Sequence, residues 1–436
     1  KASYDLIFYH RRPVYCLIYR NFFTDSVAIL FAVISMIFIP PDQQYPEYID
    51  FRTLGILFGL MTCVAGVQQL GVFDRLAGML LRKVSGRMAI TSVLVMLCFF
   101  SSMLLTNDVA LITFVPFSLI LLQRKKELFD EKWILRIVVM QTIAANLGSM
   151  LTPIGNPQNL YLFGLAQMRI EKFILLMLPY SVMAFLVLII WIILASGISR
   201  IYARNDQKQD QTTIKNIQDN KITFSKEDGR HQLSEEKHSE KSISFSWKLW
   251  CYCVLFLLGL LVVGRVLPWS VFAVFVLVFT FAADRKTLMK VDYSLLGTFA
   301  ALFIFIGNLG RIEVFRQFLE RMIRGREMVT SVLASQVMSN VPAAILLSGF
   351  TDAIPNLIVG TNIGGLGTLI ASMASLISFK YIAREYPAQK GRYFCMFTLA
   401  NVFFLLVMLI VYLVFLSPVF VKNKTICLSI LICVGR

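Results

Sequence analysis

The feature that most constrains this chain is a polar knot inside an apolar segment, and it occurs twice. From Met88 to Leu122 the sequence is apolar except around Ser101-Ser102-Met103-Leu104-Leu105-Thr106-Asn107-Asp108-Val109-Ala110. Hydrophobic residues make up 57% of the 436 and charged residues 16%, which describes a polytopic membrane protein rather than a soluble globule with one core. Amides and carboxylates are costly at bilayer depth, so the knot must face protein or water. Downstream, Ala334-Ser335-Gln336-Val337-Met338-Ser339-Asn340-Val341-Pro342-Ala343 repeats it, with Ser102, Thr106, Asn107 and Ala110 falling on Ser335, Ser339, Asn340 and Ala343 at one offset of 233 residues. Two such breaks in matching halves are the pattern of a repeat transporter whose site lies where the halves meet.

A net charge of +16 raises nucleic acid as a partner, but the basic residues are scattered between apolar stretches and read as topology determinants. No nucleic-acid partner is expected. The cysteines are mostly single residues in apolar runs, and Cys251-x-Cys253 lacks the spacing of a zinc or redox pair. His10, His231 and His238 all lie outside the apolar spans, which argues against a buried histidine metal site. The sequence holds no Walker loop, Rossmann fingerprint or nucleophile elbow, so transport driven by its own ATP hydrolysis is not expected.

Along the chain, residues 1–21 are basic and lack a secretory cleavage site. The chain starts at Lys1 rather than Met, which leaves room for a segment upstream. Spans are expected at 22–40 and 51–70, then an amphipathic, interfacial helix at 71–86. Residues 88–122 form a re-entrant hairpin in this reading, because Arg82, Lys83 and Arg87 on one side and Arg124, Lys125 and Lys126 on the other put both ends in the cytoplasm. Residues 133–165 are a helix broken between Asn146 and Asn159 by two prolines and two glycines. After a span at 173–195, the stretch 199–246 carries nine basic and eight acidic residues with few apolar ones, and reads as a disordered cytoplasmic linker within 196–246.

An extra span at 247–266 opens the second half, 267–416, which then repeats the first, 22–195. Asp50 and Phe73 recur as Asp292 and Phe315 at an offset of 242. The interfacial helix returns at 312–325, the hairpin at 327–350, the broken helix at 352–379 and the closing span at 393–416. Asn146, Gly148, Thr152 and Ile154 fall on Asn362, Gly364, Thr368 and Ile370, all at an offset of 216. The extra span inverts the second half. The expected fold is therefore an all-α polytopic membrane protein of two inverted repeats, each with a re-entrant hairpin and a broken helix, with the tail 417–436 outside.

At a hairpin tip one half-helix ends and another begins, exposing N–H groups and a positive dipole end that suit an anion, while unwound carbonyls suit a hard cation such as sodium. Thr106, Asn107, Ser339 and Asn340 are also helix-capping types, so each tip alone could be a cap. The doubling favours a site. Asp108 reads as the coupling-cation carboxylate or as an acid in a first helical turn. Val341 stands at its counterpart, so the two sites are not chemically equivalent.

These residues resemble the ion transporter superfamily of divalent-anion:sodium symporters, citrate transporters and arsenite permeases, over roughly residues 22–416. The tips Thr106-Asn107-Asp108 and Ser339-Asn340-Val341 are similar to its Ser-Asn-Thr tips, and Thr152-Pro153-Ile154-Gly155-Asn156-Pro157-Gln158-Asn159 to its broken-helix loop. Thr-Asn-Asp is closest to the citrate-transporter-like and arsenite-permease branches. The resemblance implies one cation site among Ser102, Thr106, Asn107, Asp108, Asn146, Thr152 and Gly155, and a second among Ser335, Ser339, Asn340, Thr361, Asn362 and Gly364. Substrate would lie between the tips at Thr106, Asn107, Asp108, Ser339, Asn340 and Val341, with Asn156, Pro157 and Thr368. It further implies an elevator motion and a homodimer in the cell membrane. The expected activity is secondary transport of a small anion, a di- or tricarboxylate such as citrate, coupled to sodium or protons. Oxyanion efflux and sodium/proton exchange are the rivals. An intramembrane enzyme would need a catalytic pair, and Asp108 has no such partner in the spans.

Overall fold

The structure, a computed structural model, describes residues 28–125, 127–218 and 247–416, with side chains to 194 and 414 in the last two stretches. The N-terminal segment 1–21, most of the linker and the tail 417–436 lie outside the described residues. Among the described residues every regular element is helical.

In the first half these are α1 (Ala28–Phe38), α2 (Tyr45–Tyr48), α3 (Phe51–Gln69), α4 (Val72–Arg82), α5 (Arg87–Leu105), α6 (Asn107–Arg124), α7 (Glu131–Ser149), α8 (Pro157–Leu165) and α9 (Ile170–Gln218). The second half holds α10 (Trp247–Val263), α11 (Trp269–Ala283), α12 (Arg285–Leu288), α13 (Tyr293–Arg311), α14 (Glu313–Ile323), α15 (Glu327–Met338), α16 (Asn340–Ser348), α17 (Ile354–Gly364), α18 (Met373–Glu385) and α19 (Lys390–Leu416). Helix α9 runs as far as Gln218, so the polar stretch that composition reads as disordered is helical in its first part. Beyond the last apolar turn that stretch carries no proline, and its Lys, Arg and Gln are fair helix formers.

Six helices among the described residues are long and apolar enough to cross a membrane, including α3, α5, α6 and α13. The distribution of side chains is that of a protein solvated by lipid. Ile37, Phe38, Val278 and Leu399 are exposed on the outer helices, while Gln141, Asn146, Asn159 and Asn362 are buried in the middle. Asp50 and Asp292 start α3 and α13 in the same way, accepting the N–H of Thr53 at 3.0 Å and of Leu295 at 3.1 Å.

The breaks position the site. Helix α5 packs on α7, and α15 packs on α17, so in each half the first hairpin arm lies on the first part of the broken helix. The second parts are exchanged: α6 packs on α18 and α16 on α8, each hairpin's second arm lying on the other half's broken helix. Glycine allows these approaches. A Cβ on Gly148 would stand 2.0 Å from Phe99 O, and one on Gly364 would stand 2.7 Å from Ser335 Oγ. The hairpins differ in length, with arms of 19 and 18 residues in the first and 12 and 9 in the second. At 1.5 Å per residue the second pair reaches only roughly 18 and 14 Å, too short to cross a core of about 30 Å.

Candidate functional site

Both tips adopt one backbone geometry that L-residues rarely take. Thr106 has φ 75° and ψ 149°, and Ser339 has φ 75° and ψ 155°. This region is nearly confined to glycine and costs a side chain on the order of 1–3 kcal/mol, so it persists only where the surroundings hold it. The hold is the same at both tips. Asn107 N–H donates to Gly155 O at 3.2 Å, and Asn340 N–H to Ala371 O at 3.0 Å. Neither Thr106 nor Ser339 makes a side-chain cap bond to its following helix, so the tips are not ordinary capping turns.

Behind the tips, two asparagines of the broken helices tie the halves together. Asn146 Oδ1 accepts from Asn107 Nδ2 at 2.9 Å and from Ser372 Oγ at 3.0 Å, while Asn146 Nδ2 donates to Ser375 Oγ at 3.4 Å. Asn362 answers it. Its Oδ1 accepts from Asn156 Nδ2 at 3.3 Å, and its Nδ2 donates to Asn159 Oδ1 at 2.6 Å. Asn156 and Ser372, like Asn159 and Ser375, are 216 residues apart, so the cross-bonds repeat at the broken-helix offset.

This arrangement brings four helix N-termini to one small, narrow cavity. Helix α6 contributes Asn107 and Asp108, α8 contributes Pro157 and Gln158, α16 contributes Asn340 and Val341, and α18 begins there with Ser372 and Met373; Leu295 closes one side. Each N-terminus turns the positive end of its dipole toward the cavity, while the Asn107, Asp108 and Asn340 N–H groups are bonded to Gly155 O, Asn107 Oδ1 and Ala371 O. Pro157 opens α8 at the position where a missing N–H costs nothing. Gln158 is 1% exposed, and its Nε2 has no hydrogen-bond partner among the described residues. A buried amide in that state costs about 1–3 kcal/mol unless water or a ligand accepts from it. Among the residues lining the cavity there is no lysine, arginine or histidine. The arrangement can bind a small oxygen-rich molecule through amides and backbone dipoles, with Asp108 as the ionisable side chain.

Of the residues read from the sequence as substrate contacts, Asn107, Asp108, Pro157, Asn340 and Val341 line the cavity. Thr106 and Ser339 form the tips, Asn156 is buried in the cross-bonded network, and Thr368 is exposed outside it. The remaining residues read as cation ligands stand one layer back. Ser102 Oγ donates to Phe99 O at 2.9 Å and Ser335 Oγ to Ser331 O at 2.7 Å; Thr152 donates to Met103 O, and Thr361 to Leu357 O at 2.7 Å. Gly155 O takes the Asn107 N–H, and Gly364 O takes a side-chain amide from Gln336 at 2.9 Å. Sequence reasoning missed Gln158, Asn159, Ser372 and Ser375 as site residues. Extending the offset of 216 past Ile154 would have reached both serines.

The sequence profile of a citrate transporter family matches residues 15–354. The chain is 32% identical over 356 residues to an uncharacterized transporter of Methanocaldococcus jannaschii, covering 81% of this chain and 87% of that protein. It is 29% identical over 361 residues to the inner membrane protein YbiR of Escherichia coli, with 81% and 86% covered. A shorter similarity, 30% over 154 residues, links 35% of the chain to 30% of a silicon efflux transporter of Oryza sativa.

Proposed function

Because the chain belongs to the citrate transporter family, we propose that it is a secondary active transporter that takes up a small anion, a di- or tricarboxylate such as citrate, coupled to sodium or protons. The observation that carries this reading is the convergence of four helix N-termini and the unpaired Gln158 amide on one cavity. Aligned N–H groups at such termini stabilise an anion without a cationic side chain. The equivalent backbones at Thr106 and Ser339, and the cross-bonds of Asn146 and Asn362, support two inverted repeats meeting at the substrate.

The same network supports an elevator. Helices α5–α8 and α15–α18 are tied to each other by buried hydrogen bonds, and Gln123 Nε2 adds a bond to Tyr386 OH at 3.1 Å on their rim. They would move as one body carrying the cavity. Helices α3, α10 and α11 would stay as the scaffold, where the exposed apolar face of α11, with Val274, Phe275 and Val278, meets lipid or a second copy of the chain.

A second reading has one observation behind it. Asp108 stands in a cavity with no cationic side chain, and a carboxylate there opposes a multiply charged anion. An uncharged or singly charged oxyacid would then be the substrate, in keeping with the silicon efflux named for the rice relative. The test is thermal unfolding of purified protein with citrate, succinate, silicic acid and arsenite, each in sodium and in potassium, because a ligand of the folded state raises the midpoint. A shift with a carboxylate only in sodium is the expected result. A shift with the oxyacids alone selects the second reading, and a shift with sodium or pH alone selects cation/proton exchange.

A further inference from the structure

The two breaks share their backbone but differ at one corner. Met103 O accepts the Thr152 hydroxyl in the first half, and Gln336 O accepts the Thr368 hydroxyl at 3.0 Å in the second. Met103 and Gln336 therefore occupy the same place, and the thioether has no proton to give. Gln336 gives two. Its Nε2 lies 2.9 Å from both Gly364 O and Leu366 O, and its Oε1 accepts the Thr368 N–H at 2.9 Å. Room for this carboxamide comes from Gly367, whose φ is +106°; a Cβ there would stand 2.3 Å from Oε1. At the matching position, 216 residues earlier, the chain has Leu151. The carboxamide and its glycine occur together in the second half, and neither has a counterpart in the first.

Unwound carbonyls are hard oxygen ligands, suited to a cation stripped of water. An amide nitrogen pointing two hydrogens at two carbonyls fills such a place with the same sign of charge. Nor does the second tip offer an anionic side chain to offset the desolvation of a cation, because Val341 stands where the first has Asp108.

Resting on the cation-coupled reading above, we infer that the chain carries one coupling-cation site, at the first tip with Asn107, Asp108 and Thr152, and that the Gln336 carboxamide takes the place of a cation at the second. The experiment is equilibrium binding of ²²Na⁺ to purified wild-type protein and to Gln336→Met, which installs the first-half residue. One ion per chain in the wild type and two in the variant is the expected result. Two ions in the wild type overturns the inference while leaving sodium coupling intact, as does one ion in both. Should the variant fail to fold, the wild-type stoichiometry decides. Saturable binding of none, with no sodium-dependent shift in melting, removes sodium coupling itself and the inference with it.

Discussion

Replacing Gly148 by alanine tests whether α5 and α7 approach as closely as the structure puts them. The added Cβ would stand 2.0 Å from Phe99 O, 2.6 Å from Ser102 Oγ and 2.8 Å from Phe99 C. Two of these neighbours are main chain, so no rotamer change relieves them. An ordinary contact of 3.4 Å or more requires α5 to retreat from α7 by more than an ångström, and interiors packed to crystal density do not absorb that locally. Overpacking typically costs about 1–3 kcal/mol, and a main-chain clash belongs at the upper end. Gly364→Ala meets Ser335 Oγ at 2.7 Å, Ser335 Cβ at 2.8 Å and Val332 Cα at 3.1 Å, a milder version of the same contact. Gly78, in the middle of α4, has nothing within 4 Å of its would-be Cβ, and alanine there should gain roughly 0.5–1 kcal/mol of helix propensity. Thermal unfolding in detergent should therefore rank Gly78→Ala at or above wild type, then Gly364→Ala, then Gly148→Ala, the last lower than wild type by roughly 3 °C. A Gly148→Ala midpoint equal to wild type would refute the α5–α7 approach, and with it the geometry that places Ser102 behind the first tip.

Three further outcomes follow from the site and its surroundings. Asn107→Ala and Asn340→Ala should each reduce transport in proteoliposomes by about 100-fold or more, while losing only roughly 1–3 kcal/mol of stability from the buried network; full activity in both rejects the site assignment. Gln158→Leu removes an amide nitrogen that has no partner among the described residues, so the ligand-free midpoint should hold or rise while the ligand-induced shift disappears, and a retained shift would take Gln158 out of the site. In the loop between α1 and α2, the hydrogen bond from Arg311 holds the Asp42 carboxyl below its ordinary value of 3.8. A carboxylate with a depressed native pKa contributes stability above its unfolded value and loses it as pH falls through the native one. The midpoint difference between wild type and Asp42→Asn should thus stay level from neutral pH down to the ordinary carboxylate range and shrink below it; a difference that grows on acidification would contradict the ion pair.

Much of this architecture is legible in the chain because breaks in apolar helices are local events. Pro153, Gly155 and Pro157 cannot continue α7 whatever surrounds them, and a Thr-Asn or Ser-Asn inside an apolar run must find polar company somewhere. The N-terminal aspartates of α3 and α13 and the amphipathic helices α4 and α14 were likewise written in short patterns, and appear within a few residues of where those patterns place them. The sequence offsets also carried information that was only partly used. They place Ser372 and Ser375 opposite Asn156 and Asn159, although serine and asparagine share no more than the ability to give and accept a hydrogen bond.

By itself, then, the sequence determined that the chain is helical, apolar outside, interrupted four times, and duplicated with offsets of 233 at the tips and 216 at the broken helices. Tertiary structure alone decided which interruption faces which. Asn146 finds Ser372 across 226 residues and Asn362 finds Asn156 across 206, through an exchange of half-helices between the two halves that no local pattern encodes. The same holds for the difference between Met103 and Gln336, which reads as an apolar-to-polar substitution in a list of residues and becomes a filled carbonyl cluster only once the loop after α17 is folded over it. Backbone chemistry fixes where a helix must stop. Which oxygens and N–H groups are left for a ligand depends on every long-range contact that claims the others first.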